Sequence, residues 1–206
     1  MSASVTPVTL EGRRVRLEPL TLAHVDPLTE IGLDPSIWRY IAHRVETKDH
    51  MRAFVEQALE WQRAGTALPF ATIDRESGRV VGTTRFANIV LEHRRAEIGW
   101  TWITPAYQRT HVNTEAKYLM LRHAFESLGW IRVELKTSAL NAKSRAAILR
   151  IGATEEGTFR RHMLNADGTR RDSVYFSVID EEWPEVKQRL EAFINAASDG
   201  NVAAPR

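Results

Sequence analysis

The segment Pro105-Ala106-Tyr107-Gln108-Arg109-Thr110-His111-Val112-Asn113-Thr114-Glu115 places amide, hydroxyl and basic groups between a strand pattern ending at Ile103 and a helical pattern running from Thr114 to Leu128. A strand that passes through a polar loop into a helix leaves the first backbone N–H groups of that helix unpaired, at the positive end of its dipole. Such an end binds phosphate or pyrophosphate. The same residues also suit a plain helix start, with Asn113 as cap and Glu115 and Ala116 in the first turn. The two roles are compatible, and only a ligand test separates them.

The sequence holds no cysteine, which excludes a disulfide framework, a thiolate zinc site and a cysteine nucleophile. No run approaches the roughly 18 apolar residues of a membrane span, and no charged start leads into an apolar stretch. A soluble cytoplasmic protein without a membrane partner is expected. The 28 basic and 26 acidic residues nearly cancel and are interspersed, so the pI near 9.1 argues little for nucleic acid, and no DNA partner is expected. With 206 residues, 43% of them apolar, one domain with a good core is the simplest organisation. It is placed at residues 8–195, with small polar ends at 1–7 and 196–206 expected to be mobile.

The elements that must position the loop follow from periodicity. Val15 to Leu20 alternates as a first strand, and Thr21 offers an N-cap for a helix carrying Leu22, Val25, Leu28 and Ile31 inward. Thr47 to Arg63 is helical, with Met51, Phe54, Val55, Ala58, Leu59 and Gln62 on one side. Leu68 to Asp74 and Arg79 to Ile89 flank Arg75-Glu76-Ser77-Gly78, a hairpin signature whose glycine tolerates positive φ. Ala96 to Ile103 continues the meander, with Trp100 and Trp102 alternating onto one face with Ile98 as core aromatics. Gly129 ends the Thr114 to Leu128 helix. Ile131 to Thr137 then runs parallel to the strand ending at Ile103, because a long helix separates them. A short helix spans Asn141 to Ile151. Thr154 to Met163 and Arg170 to Ile179 form a hairpin about Asn165-Ala166-Asp167-Gly168, and a helix from Glu182 to Ile194 closes the chain. The sum is an α/β domain, a mixed sheet with helices on both faces.

In this order and spacing, Glu97-Ile98-Gly99-Trp100, Pro105, Gln108 to Ala116, Asn141-Ala142-Lys143-Ser144 and Ile151-Gly152-Ala153 together resemble the GNAT acyltransferase superfamily. The nearest branch resembles the Rim-type enzymes that acetylate ribosomal-protein N-termini. The resemblance covers roughly Val8 to Phe193. It implies a mixed central sheet of about seven strands with two parallel strands splayed apart in the middle, acetyl-coenzyme A as acyl donor, and no metal.

The resemblance also implies roles. In the family pattern Q/R-x-x-G-x-G/A the loop amides hold the coenzyme A pyrophosphate, and Gln108, His111 and Asn113 occupy the three defined positions. Gln108, Arg109, Thr110, His111, Val112, Asn113 and Thr114 then form the cradle, with Arg109 and His111 able to add charge-assisted bonds. Main-chain groups of Trp102, Ile103 and Thr104 would meet the pantetheine and the thioester carbonyl, where a fixed N–H stabilises the oxyanion. Asn141 would contact the pantetheine arm. Ser144 would lie near the sulfur and could relay a proton to the thiolate, although either residue could simply cap its helix.

Transfer needs an unprotonated amine. Glu97 is the first candidate base, since a partly desolvated carboxylate facing the cleft could have its pKa raised toward neutrality; His162 and Tyr175 are weaker candidates. Deprotonating a lysine at pH 7 costs about 3.5 kcal/mol more than an α-amine, which favours an α-amine of a peptide or aminoacyl compound. Arg160-Arg161 and Arg170-Arg171 suit a solvated hairpin edge, or else an anionic acceptor or a succinyl chain. A small-molecule or antibiotic N-acetyltransferase and a noncatalytic coenzyme A binder are the alternatives. The acceptor pocket is expected from Trp38 to Val45 and the last hairpin, and a homodimer is compatible with the pattern.

Overall fold

A computed structural model of the protein describes residues 5–196. Residues 1–4 and 197–206, the greater part of the ends expected to be mobile, lie outside it. The chain opens with β1 (Leu10–Glu11) and β2 (Val15–Pro19), then α1 (Val25–Gly32), α2 (Pro35–Trp38) and α3 (Lys48–Arg63). The meander β3 (Leu68–Asp74), β4 (Val80–Val90) and β5 (Arg95–Ile103) leads into α4 (His111–Arg122). β6 (Arg132–Ser138), α5 (Ala142–Arg150), β7 (Thr154–Leu164), β8 (Arg170–Ile179) and α6 (Trp183–Ala196) complete it.

These strands make one eight-stranded sheet in the order β1-β2-β3-β4-β5-β6-β8-β7. The eighth strand, beyond the seven expected, is the two-residue β1 at the edge. β5 and β6 are parallel, as the intervening helix requires, and the other neighbours are antiparallel. The apolar residues divide into two cores. α4 and α6 pack Leu119, Met120 and Leu190 against Phe86, Ile98 and Val133 on one face. α1 and α3 pack Leu28, Met51 and Phe54 against Ala71, Ile73 and Trp102 on the other.

Three local expectations change. The helix after Thr21 begins with a single 3-10 turn in which Leu22 stays exposed; only Val25 onward buries its apolar side. The helix expected from Thr114 starts three residues earlier, at His111. Thr110, in extended geometry, accepts from the Val112 N–H and is the N-cap in place of Asn113. Trp100 and Trp102 do share a face, but Ile98 lies on the opposite one. The cause is a bulge: the register steps from Arg85↔Gly99 to Thr83↔Trp102, and Trp100 takes φ +48. One extra residue resets the alternation of everything after it.

That bulge shapes the middle of the sheet. β5 and β6 are in register only over Arg95↔Arg132, Ala96↔Val133 and Glu97↔Glu134. Beyond Glu97, β5 continues against β4 to Ile103 and β6 continues against β8 to Ser138. The two parallel strands therefore part after three pairs, leaving a slot between them.

Candidate active site

The mouth of the slot is built from α4 and α5. His111, Val112 and Asn113 form the first turn of α4, so their N–H groups have no partner one turn back. Glu115, just past that turn, is buried and accepts from the backbone N–H groups of Arg13 and Arg14. It fastens the β1–β2 turn to the helix. Arg109 precedes the cap with φ +64, which turns the chain sharply. Gln108 donates from Nε2 to the Ile103 carbonyl at 2.9 Å and receives Lys143 Nζ on Oε1. Arg150 reaches Thr114 Oγ1 from the other end of α5. The loop and α5, far apart in sequence, are thus held side by side.

Within that arrangement the predicted cofactor residues divide. Val112 and Thr114 are buried; the Val112 side chain packs and the Thr114 hydroxyl receives Arg150, so neither side chain is offered to a ligand. The His111 imidazole turns inward, 3.6 Å from Asp74 and 11% exposed, rather than outward to the mouth. Burial and the nearby Arg14 push it below the ordinary histidine value, against Asp74 and Glu115. It is accordingly neutral near pH 7. Burial opposes ionisation of Asp74, yet the Ser77 hydroxyl and N–H, His111 and Tyr107 leave its carboxyl below the usual range.

On β5 the three backbone candidates also separate. The Thr104 N–H donates to the Val81 carbonyl at 2.9 Å and is used within the sheet. Alternation along the ladder turns Trp102 the same way and Ile103 toward the slot. The Trp102 ring is buried against Trp38, centroids 5.6 Å apart. Asn141 is the N-cap of α5, its Oδ1 accepting the Ser144 N–H at 3.1 Å. Capping fixes the first turn of α5 and does not occupy the Ser144 hydroxyl.

Glu97 lies at the point where the strands part. It is 2% exposed. Its Oε2 accepts from Asn88 Nδ2 at 2.9 Å and pairs with Lys136 Nζ at 3.0 Å. A partly desolvated carboxylate facing the cleft was expected; the carboxylate found is buried, paired and oriented. Lys136 in turn lies 5.7 Å from the ring centres of both Trp100 and Tyr175. Tyr175 contacts His162 at 3.4 Å, and burial raises its phenol while His162 is lowered by burial, Lys136 and Arg171. Arg171 is buried and donates to the Tyr40 carbonyl at 3.0 Å, which joins the last hairpin to the Trp38 to Val45 stretch. Arg160, Arg161 and Arg170 stay exposed. On the same sheet face a concavity of about 700 Å³ is lined by Asn88, Arg95, Glu97, Glu134, Phe159 and Tyr175 among others.

Sequence reasoning passed over Asn88, Lys136 and Arg85. Arg85 is the informative omission, since a charge flanked by Thr84 and Phe86 inside an apolar strand is itself a signal.

A sheet opened between two parallel strands, with a helix N-terminus at the mouth of the slot and a paired carboxylate where they part, is the architecture of an acyl-coenzyme A-dependent acetyltransferase. Residues 14–154 match the model of the acetyltransferase (GNAT) domain, and the chain belongs to the GNAT family. It is 36% identical over 106 residues to the Bacillus subtilis (strain 168) protein named "Putative ribosomal N-acetyltransferase YdaF", covering 52% of this chain and 57% of that one. The match thus spans little more than half the length of that relative. Among solved structures, a GCN5-related N-acetyltransferase from Brucella melitensis is 32% identical with TM-score 0.85, over 93% of this chain and 87% of the other. Mycobacterium smegmatis RimJ in complex with CoA-disulfide shares the fold at TM-score 0.79 and 24% identity, over 91% and 95%. Among the described residues no helix is long and apolar enough to cross a membrane, and no cluster of three His, Asp or Glu residues suits a metal ion.

Proposed function

We propose that the protein moves an acetyl group from acetyl-coenzyme A to a primary amine, the α-amine of a peptide N-terminus or of an aminoacyl compound, by direct attack without an acyl-enzyme. The observation that carries this reading is the parting of β5 and β6 after Glu97 and Glu134, with the α4 N-terminus at the mouth of the slot. The pyrophosphate would lie on the N–H groups of His111 and Asn113, beside Arg109 and the Thr110 cap, with the Val112 N–H reaching it once it exchanges the Thr110 hydroxyl for phosphate. The pantetheine arm would run between the strands, with Asn141 and Gln108 at its flank.

The amine nitrogen bonds to the thioester carbon, and the carbonyl oxygen becomes an oxyanion facing the Ile103 N–H. Such a donor, fixed by the strand, is worth a few kcal/mol in the transition state. Glu97 receives the amine proton, directly or through water. The C–S bond then breaks, and the thiolate takes a proton relayed by the Ser144 hydroxyl. Lys136 and Asn88 hold the Glu97 carboxylate toward the 700 Å³ concavity, which is the place for the acceptor. The domain proposed to do this spans residues 8–195.

Release of free thiol from acetyl-coenzyme A across a panel of peptides and small amines tests the reading. Turnover with an α-amine acceptor supports it. Binding of coenzyme A without turnover on any amine would leave a carrier and remove the enzyme.

A further inference from the structure

Arg85 is 0% exposed, and none of Nε, Nη1 or Nη2 has a hydrogen-bond acceptor. Its guanidinium is enclosed instead by three rings, at 4.8 Å from Phe54, 5.4 Å from Trp61 and 5.3 Å from Trp100. Buried charges are ordinarily paired, because an unpaired one forfeits its hydration, and ring faces return only part of that. A guanidinium presents a fork of five donors that matches a carboxylate. Burial lowers it to about 9, which leaves it charged at neutral pH.

Its position connects it to the chemistry. Arg85 pairs with Gly99 and Ala87 pairs with Glu97, so Arg85 and Glu97 are diagonal neighbours on one face, with Cα atoms about 7 Å apart. Trp100, at its strained φ, stands between them: Arg85 is on one side of its ring and Lys136, the partner of Glu97, is close to it as well. Trp61 and Trp100 are only partly buried, so the guanidinium lies one ring deep from the surface. No charged partner among the described residues offsets it. His43, which lies close enough to sense its charge, is itself lowered mainly by burial. His43 Nδ1 and Arg171 Nε are further buried nitrogens without a partner.

We propose that Arg85, in its box of Phe54, Trp61 and Trp100 beside Glu97, receives a carboxylate of a substrate, carried either by the acyl chain of the donor or by the amine acceptor. This rests on the acyltransferase function proposed above. A neutral acetyl chain and an uncharged acceptor together would leave the guanidinium without its counterpart. A succinyl-type donor, or an acceptor with an acidic group a few bonds from its amine, supplies it.

The test uses the full chain and matched ligand pairs. Succinyl-coenzyme A is compared with acetyl-coenzyme A. Separately and without coenzyme A, dipeptides with an acidic side chain are compared with their amide counterparts. Binding is read by calorimetry, and kcat/KM by thiol release. The expected result is at least a fivefold preference for the carboxylate in one arm, which identifies its source, and loss of that preference in Arg85→Met. No preference in either arm overturns the proposal, as does a preference that survives in Arg85→Met. If Arg85→Met shows no cooperative melt, Arg85→Lys replaces it; the lost fork should cut the preference at least threefold, and an unchanged preference overturns the proposal. Failure to bind coenzyme A at all would remove the acyltransferase function, while the dipeptide arm would still judge Arg85.

Discussion

Glu97 and Lys136 form an ion pair of 3.0 Å that spans the two parallel strands at the point where they separate. Glu97 belongs to the last registered pair of β5 and β6, and Lys136 lies two residues beyond its end. The lysine therefore reaches back across the start of the slot to hold the carboxylate. Glu97→Gln keeps the size and removes the proton acceptor. It should lower kcat by about 10²-fold with coenzyme A affinity unchanged, since general-base catalysis contributes about that much. Steady-state kinetics with calorimetry would show it, and an unaltered kcat would exclude Glu97 as base.

Gly99 offers an independent check on the same carboxylate. A Cβ there would come within 2.8 Å of Glu97 Oε1, so Gly99→Ala displaces the carboxylate without changing its chemistry. The expected outcome is a kcat loss of about tenfold or more with coenzyme A binding intact. Equal activity of Gly99→Ala and the unaltered protein would show that this placement is irrelevant.

Much of this arrangement is visible in the sequence, and the parts that are not share a cause. Strand alternation and the Gly78 and Gly168 turns are local patterns, and Leu68–Asp74 and Arg170–Ile179 fall where the pattern puts them. The Trp100 bulge has no such pattern, because a tryptophan at positive φ is imposed by the neighbouring strand. Ile98, Trp100 and Trp102 consequently read as one face when they are two. Thr110 and Asn113 are both good caps. Thr110 is the one used, and the contact that anchors this end of the helix, from Glu115 to the Arg13 and Arg14 amides, comes from about a hundred residues away and leaves no local pattern. Lys136 becomes a partner of Glu97 only through the β5–β6 register.

That Glu115 contact is also a stability prediction. Glu115→Ala leaves two backbone N–H groups of the β1–β2 turn without their acceptor, at a cost of roughly 2 to 3 kcal/mol. Urea unfolding should show a lowered midpoint at constant slope, and a midpoint unchanged within error would contradict the anchoring role.

Lys117 gives a pH dependence. It is buried on α4, donates to Thr101 Oγ1 at 3.0 Å, and burial lowers its ammonium to about 7 from 10.5. Between those values the unfolded chain carries the proton and the folded one does not, so stability rises with pH from about 7 to about 10.5; on acidification it is lost across that window and levels off below about 7. The gain is on the order of a few kcal/mol. Relative to Lys117→Met, the unaltered protein should therefore melt progressively higher across that window. Parallel melting curves for the two would show that the lysine keeps its charge inside.

His111 is expected to matter little for the cofactor. Its ring is neutral near pH 7 and faces Asp74, while the phosphate-binding groups are backbone N–H. His111→Ala should change coenzyme A affinity by less than about threefold, within what packing differences produce. A loss of 30-fold or more in calorimetry would mean that the imidazole itself holds phosphate.

At the opposite end of the slot, Arg132 bonds Glu134 and Glu156 while Arg95 bonds Glu134, binding β5, β6 and β7 across the sheet. The two strands are fastened to each other at this end, and beyond it each is held only by its outer neighbour, β4 or β8. From Glu134 to Ser138 the stretch of β6 that has left β5 extends about 13 Å at the usual strand rise. The same arginines and carboxylates line the concavity beside Glu97, so the clasp that sets where the strands part is also a wall of that concavity.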